Sequence, residues 1–223
     1  MEIKTGITEL DEIVDFNQPQ LIVLASRALM GKSTLALDLL ENLSCKQRIS
    51  SFFIDLNMTR YKLLENLSKK PNLYETDMKN PKLHITNKPQ MEIQKLCEKC
   101  RQMKIDFDIK CVFIDDIQCI CYDKCEYLSR DDEIANISKI LKNLANELNI
   151  TIFALSQLTN APDKRTDHRP VLSDLGNNEL VENADVVMFL YRNDYYNTDL
   201  DNPKKEIIIA KNNNGIIKTI EWS

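Results

Sequence analysis

Short, uninterrupted apolar runs alternate along this chain with longer stretches whose apolar residues recur every three or four positions. Leu21-Ile-Val-Leu-Ala25 is one such run, of the kind a strand buried on both faces requires. A loop follows, and the apolar spacing of residues 33–43 then predicts a helix. The pattern continues with a strand over 49–54, a helix over 59–68, a short strand over 83–86 and a helix over 92–103. Cys111-Val-Phe-Ile114 predicts a further buried strand, ending at Asp115-Asp116. Residues 131–148 place Ile134, Ile137, Ile140, Leu141, Leu144 and Leu148 on one helical stripe. A strand over 151–155 stops at Ser156-Gln157. Two more cover 186–190 and 206–210, and 216–222 returns as a hairpin partner. Strands separated by helices predict an α/β fold: a mostly parallel, twisted sheet with helices on both faces and ligands at the carboxyl ends of its strands. The late strands lack intervening helices and predict an antiparallel edge hairpin.

Composition changes this picture in three places. At 223 residues the chain is long enough for one large α/β domain with a well-buried core. Its 29 Lys and Arg against 34 Asp and Glu, a formal net charge of −5, exclude a protein that coats nucleic acid by bulk positive charge. A local basic groove remains compatible with that sum. No run of 18 apolar residues and no charged-then-apolar leader occurs, so a cytoplasmic protein without membrane contact is expected. The seven cysteines are an odd count without a secretory signal, which argues against a disulfide framework. Cys97-x-x-Cys100 with Cys119, Cys121 and Cys125 lacks tight zinc-knuckle spacing, so these residues read as small hydrophobes. His84 and His168, the two histidines, have no ligand neighbours in the sequence and read as surface or loop residues.

The most informative stretch is Ser26-Arg27-Ala28-Leu29-Met30-Gly31-Lys32-Ser33-Thr34, set between a buried strand and a helix. G-x-x-x-x-G-K-[ST] in that setting is the template of a nucleotide phosphate loop. Converging backbone N–H groups at a helix N-terminus cradle the phosphates, Lys32 neutralises the β and γ oxygens, and the Ser33 hydroxyl binds Mg2+. Ser26 stands where the template has its first glycine; the bland alternative is a plain helix N-cap by Ser33. A phosphate loop also requires an acid at the end of a later apolar strand to hold Mg2+. Asp115 follows its apolar run directly and fills that role, with Asp116 as an assisting acid; a strand-end acid capping the next turn is the alternative.

Together these residues resemble the RecA-type ATPase core of the DnaB family of replicative helicases. The likeness runs through nearly the whole chain. Thr5-Gly-Ile-Thr-Glu-Leu-Asp11 resembles the family's lead-in, and residues 25–33 its A-x-R-P-x-M-G-K-[ST] loop. Residues 137–149 resemble the helix before the sensor strand, Ala154-Leu-Ser-Gln157-Leu158 the sensor motif itself, and the long segment 172–192 carries the most specific match. The resemblance implies a single RecA-like P-loop NTPase domain over residues 1–223: a hexameric, 5′–3′ motor of DNA replication. Its cofactors would be ATP and Mg2+, and its partners single-stranded DNA, further copies of itself and other replication proteins. Gln157 would couple the γ-phosphate to DNA-contacting loops. Residues 174–184 would form such a loop, with Asp174, Gly176, Asn177, Asn178 and Glu179 along the DNA. Nothing precedes Met1-Glu-Ile-Lys-Thr-Gly6, so the family's N-terminal domain and linker helix are expected to be absent and the chain to be a stand-alone relative.

Three departures fall on catalytic positions of the family. The glutamate that polarises the attacking water is Asn57, an amide that holds water but cannot take its proton; loss of such a base costs on the order of 10²–10⁴ in rate. Asp55 is close in sequence but lies at another depth along the strand, so it is not expected to substitute. In the late hairpin that acts on the neighbour's nucleotide, Lys211 is kept, but Asn213 replaces the finger arginine. Gly176 and Asn160 stand where arginines face the DNA. Tyr191, Tyr195 and Tyr196 with Arg192 offer either base stacking or an ordinary strand end, and Lys164, Arg165 and Arg169 read as a solvated loop. Two functions follow. One is an ATP-binding helicase core with weakened hydrolysis. The other is a degenerate nucleotide-binding module acting through partners such as a replicative helicase. A small-molecule kinase lacks the arginine-rich lid it would need.

Overall fold

A computed structural model of the chain describes residues 2–70, 73, 82–122, 129–197 and 204–222. Cys125 lies outside the described residues. Six parallel strands form the body of the sheet: β1 (Gln20–Ser26), β2 (Ser51–Asp55), β3 (Leu83–Asn87), β5 (Cys111–Asp115), β7 (Thr151–Gln157) and β8 (Val186–Arg192). Two antiparallel strands, β9 (Lys205–Asn212) and β10 (Lys218–Trp222), complete it in the order β10-β9-β8-β1-β7-β5-β2-β3. The mostly parallel sheet and its antiparallel edge therefore form as the apolar runs predict. A separate two-residue pairing joins β4 (Met91–Glu92) to β6 (Ile120–Cys121), and neither run is long enough to show an alternation in sequence.

The helices cover both faces. α1 (Thr8–Ile13), α2 (Lys32–Glu41) and α3 (Arg60–Ser68) lie on one, while α4 (Ile93–Phe107), α5 (Arg130–Leu148) and α6 (Asn178–Asn183) lie on the other. Alternate β1 residues feed the two cores: Leu21, Val23 and Ala25 pack towards α4 and α5, and Ile22 and Leu24 towards α2. A strand that is apolar at every position is what this two-sided burial demands. Phe113 stacks on Phe153 at 4.5 Å, and Phe16 on the same ring at 5.9 Å, which fastens the segment after α1 to the middle of the sheet.

Element ends differ from the expectations for local reasons. α4 runs on to Phe107, beyond the expected end at 103, until Asp108 turns it off in a left-handed conformation. α2 stops at Glu41, and a π-helical turn, Asn42–Lys46, carries the chain off it. α5 is fixed at its start by a reciprocal Ser129–Asp132 capping box. Residues 178–183, expected to be loop, form the short helix α6, whose six residues are too few for periodicity to detect. Cys97 and Cys100 are buried on α4, and burial pushes their thiols up to about 11 and about 12, as befits apolar packing groups.

Candidate active site

Because β1, β2, β5 and β7 are parallel, their carboxyl ends meet at one edge of the sheet. Ser26 pairs with Gln157 there, and Asp55 with Asp115. The chain leaves β1 at the buried Ser26 and reaches α2 through a loop that uses two left-handed residues, Leu29 (φ 65°) and Gly31 (φ 97°). A Cβ on Gly31 would meet nothing closer than Leu190 Cδ2 at 3.9 Å, so its backbone angle rather than crowding calls for glycine. Met30 is buried beneath the loop, whereas Leu29 stands 89% exposed at its apex. Gly31 occupies the N-cap of α2, its carbonyl accepting from Leu35 N at 2.9 Å.

This turn brings Lys32 and Ser33 to the end of β5. Ser33 Oγ donates to Asp115 Oδ2 at 2.5 Å, and Lys32 Nζ lies 3.6 Å from Asp116 Oδ2. Asp115 Oδ1 and Asp116 Oδ1 are buried without a hydrogen-bond partner. Burial pushes the Asp115 carboxyl up, against the pull of Lys32 and the Ser33 hydroxyl. Asp55 is fully buried and is also pushed up by burial; its Oδ1 accepts from the backbone of Asn57 (3.1 Å) and Met58 (2.9 Å), its Oδ2 from Asn87 Nδ2 (2.8 Å). Both Asp55 oxygens are thus committed to shaping the β2 exit. Asn57 stands exposed just beyond it.

Gln118 and Asp163, which the sequence did not flag, hold these elements in place. Gln118 Nε2 donates to Ser156 Oγ at 2.8 Å, and Gln118 Oε1 accepts from Gln157 N at 3.3 Å, locking the end of β5 to the end of β7. Arg27 forks onto Asp163, with Nε at 3.1 Å and Nη2 at 2.6 Å, and Tyr196 donates to the same carboxylate at 2.9 Å. His168 stacks on Tyr196 at 4.1 Å. His84 lies half-buried on β3 rather than in a surface loop, its ring tilted by 35° against Phe107 at 4.0 Å.

The residues expected along DNA do not all face solvent. Asp174 is buried: it receives a forked ion pair from Arg165, whose Nη1 lies 2.9 Å from Oδ1, and accepts from Val171 N at 2.7 Å. A buried, paired carboxylate is a support for its loop and not a phosphate contact. Asn177 is also buried; its Oδ1 caps α6 through Leu180 N at 2.8 Å, and its Nδ2 donates to Asp131 O at 2.7 Å. Gly176, Asn178 and Glu179 remain at the surface. Arg165 and Arg169 are not loosely solvated either, since Arg169 pairs with Glu206 and lies 4.9 Å from the centre of the Tyr191 ring. In the late hairpin, Lys211 Nζ donates to the carbonyls of Val181 (2.8 Å), Glu182 (3.1 Å) and Ala184 (2.6 Å), and partial burial pulls its pKa down. It caps the end of α6 within its own subunit. Asn213 Nδ2 reaches Asp185 Oδ1 at 3.4 Å.

The profile of the DnaB-like helicase C terminal domain matches residues 2–72 and 66–223, nearly the whole chain. The chain belongs to this family. The replicative DNA helicase DnaB of Geobacillus stearothermophilus is 32% identical over 98% of this chain and 54% of its own length, so the chain spans about half of that relative. A solved ATPase domain superposes with a TM-score of 0.88 at 26% identity, covering 99% of this chain and 87% of that one. A DnaB-like replicative helicase, solved in a study of its interactions with primase, gives the same TM-score at 27% identity over 99% of this chain and 59% of its own. The fold is accordingly the RecA-like ATPase fold of DnaB-like helicases, with the antiparallel β8-β9-β10 edge.

Proposed function

We propose that this chain is a DnaB-type ATPase core that binds Mg-ATP over residues 26–34, engages single-stranded DNA, and hydrolyses slowly because Asn57 stands in the place of a general base. The observation that carries this reading is the convergence of Lys32, Ser33, Asp115 and Asp116 at one sheet edge. Two buried, unpartnered carboxylate oxygens beside a hydroxyl form an all-oxygen donor set, which suits Mg2+. Ser33 and Asp115 would hold the ion, whose contribution when bound is to neutralise charge on the β- and γ-phosphoryl oxygens.

The chain's own groups supply the rest. Backbone N–H groups of the loop and the first turn of α2 would hold the phosphates, and Lys32 would add a cation whose present partner is only a loose contact at 3.6 Å. Asn57 can orient a water but not deprotonate it, and Asp55 cannot replace it while both its oxygens are engaged. Gln157, at the end of β7 beside Ser26, would sense the γ-phosphate and pass its state into residues 159–176. Of the residues expected along DNA, Gly176, Asn178 and Glu179 are open to solvent. In a ring of copies, Lys211 would leave its carbonyls to reach a neighbour's nucleotide, while Asn213 would bring no charge. Contacts with other replication proteins belong to this proposal by analogy with the primase-binding relative.

A second reading, a nucleotide-binding module acting through a partner such as a replicative helicase, draws support from Asn57, Asn213 and the engaged Lys211. ATP binding and hydrolysis measured side by side, with and without single-stranded DNA, separate the two. Turnover stimulated by DNA and abolished in Lys32→Ala supports the motor. Binding without turnover supports the module, and absence of binding overturns both.

A further inference from the structure

The residues 26–34 lie at the carboxyl edge of the sheet, and the opposite edge carries a second concave site. There the residues just ahead of the strands form a row. Ser51 N donates to Lys82 O (2.8 Å), Lys110 N to Ser50 O (2.8 Å), Thr151 N to Lys110 O (3.0 Å) and Gln20 N to Ile150 O (3.3 Å). Lys82, Ser50, Lys110 and Ile150 therefore stand side by side ahead of β3, β2, β5 and β7. Ser50 has a lysine one strand spacing, roughly 4.8 Å, to either side. A cavity of about 370 Å³ opens on this row, within the roughly 300–1,000 Å³ usual for small-molecule sites. It shares no residue with 26–34, and the seven residues of β7 set the two edges roughly 20 Å apart.

Three features give the cavity a chemical preference. Arg48, Lys82 and Lys110 line it against one acid, Asp108, whose carboxylate is already divided between Lys110 and Lys104, at 2.9 Å from each. In a chain of net charge −5 this surplus of cations is local. Ser50, also in the lining, has a buried hydroxyl without a hydrogen-bond partner among the described residues, a cost that an acceptor oxygen on a ligand would remove. Arg48 holds a left-handed backbone (φ 61°), where glycine or asparagine is the ordinary choice. A long basic residue kept there against its backbone preference points to use of its guanidinium. Phe16, Pro19, Ile49 and Ile150 add an apolar wall.

We propose that this cavity binds a small organic anion, a single phosphate or carboxylate on a compact apolar body. Arg48, Lys82, Lys110 and the Ser50 hydroxyl take the anionic group, and Phe16 and Ile150 take the body. A nucleic-acid strand suits the cavity less well, because its charge repeats along an open backbone, whereas here the cations gather on one pocket with an apolar wall.

The test titrates phenyl phosphate, benzoate, phenol and inorganic phosphate into the isotope-labelled chain and follows backbone amide shifts. Phenyl phosphate or benzoate should shift the amides of 48–50, 110 and 149–151, and bind at least about tenfold more tightly than phenol or inorganic phosphate. The stronger of the two identifies the anionic group. Arg48→Gly should weaken that ligand by about tenfold without lowering thermal stability, since glycine accepts the left-handed backbone. Ser50→Ala should weaken it by a few-fold and leave the free protein as stable as the wild type. The inference fails if phenol binds as well as the anions, or if Arg48→Gly binds them as tightly as the wild type. Shifts confined to 26–34 would place the anion on the phosphate loop and overturn this site while leaving that one standing. A single-stranded oligonucleotide that shifts 48–50 more strongly than phenyl phosphate would make this edge a nucleic-acid surface and overturn the small-molecule assignment.

Discussion

Asn57 keeps its backbone on Asp55 and its side chain at the surface, so restoring a carboxylate there does not disturb the buried end of β2. Asn57→Glu should raise turnover by on the order of 10²–10⁴ if proton removal from water limits the rate. Steady-state ATPase assays on the two proteins decide this, and a rate no higher than wild type would place the limitation elsewhere. At the same scale, the two kinds of carboxylate respond to pH with opposite sign. Arg27 holds Asp163 below its ordinary value of 3.8, so that pair contributes stability above pH 3.8 and loses it as pH falls through the lowered folded pKa. Asp55 and Asp115 are pushed above 3.8 by burial; their cost is full above the raised pKa and is relieved as pH falls through it towards 3.8. Asp163→Asn should therefore flatten the decline in stability below pH 3.8, measured by urea unfolding across an acid series, and an unchanged acid limb would show the pair to be inert. The strand–loop–helix around residues 26–34 and the place of Asp115 at a strand end were legible in sequence because an apolar run and a helical stripe adjoin there. The burial of Asp174 was not, because its meaning depends on Arg165, nine residues away and folded back onto it.

Among the elements, those built on continuous apolar runs or long stripes form close to where the pattern puts them, since a strand buried on both faces or a 19-residue amphipathic helix carries its own signal. α1 and α6, six residues each, carry none: α6 starts from the Asn177 cap, and α1, without a side-chain cap, is set by its surroundings. α6 is held at one end by Asn177 and at the other by Lys211, whose three acceptors lie 27 to 30 residues earlier in the chain. Lys211→Met keeps the length of the stem and removes the donors. It should cost about 1–3 kcal/mol by chemical denaturation, the price of leaving several carbonyls without partners. Wild-type stability in this variant would show that solvent replaces the ammonium at no cost.

Across the whole molecule, a single eight-stranded sheet separates two apolar cores, and the chemistry collects along the one edge where its parallel strands end. The candidate residues sit at strand ends and could be picked out there, whereas the ties that stiffen this edge, such as Gln118 to Gln157 and Arg27 to Asp163, span gaps of 39 and 136 residues and leave no local trace. Lys211 is a further tie of this kind, holding the end of α6. Should copies stack head to tail with this ammonium turned outward, the terminus it secures would be left to fray. Backbone amides over 178–183 should then exchange with deuterium faster in the assembled particle than in the free subunit, an inversion of the protection that association normally confers. Ring closure and local melting would in that case be one event, viewed from either side of a subunit boundary.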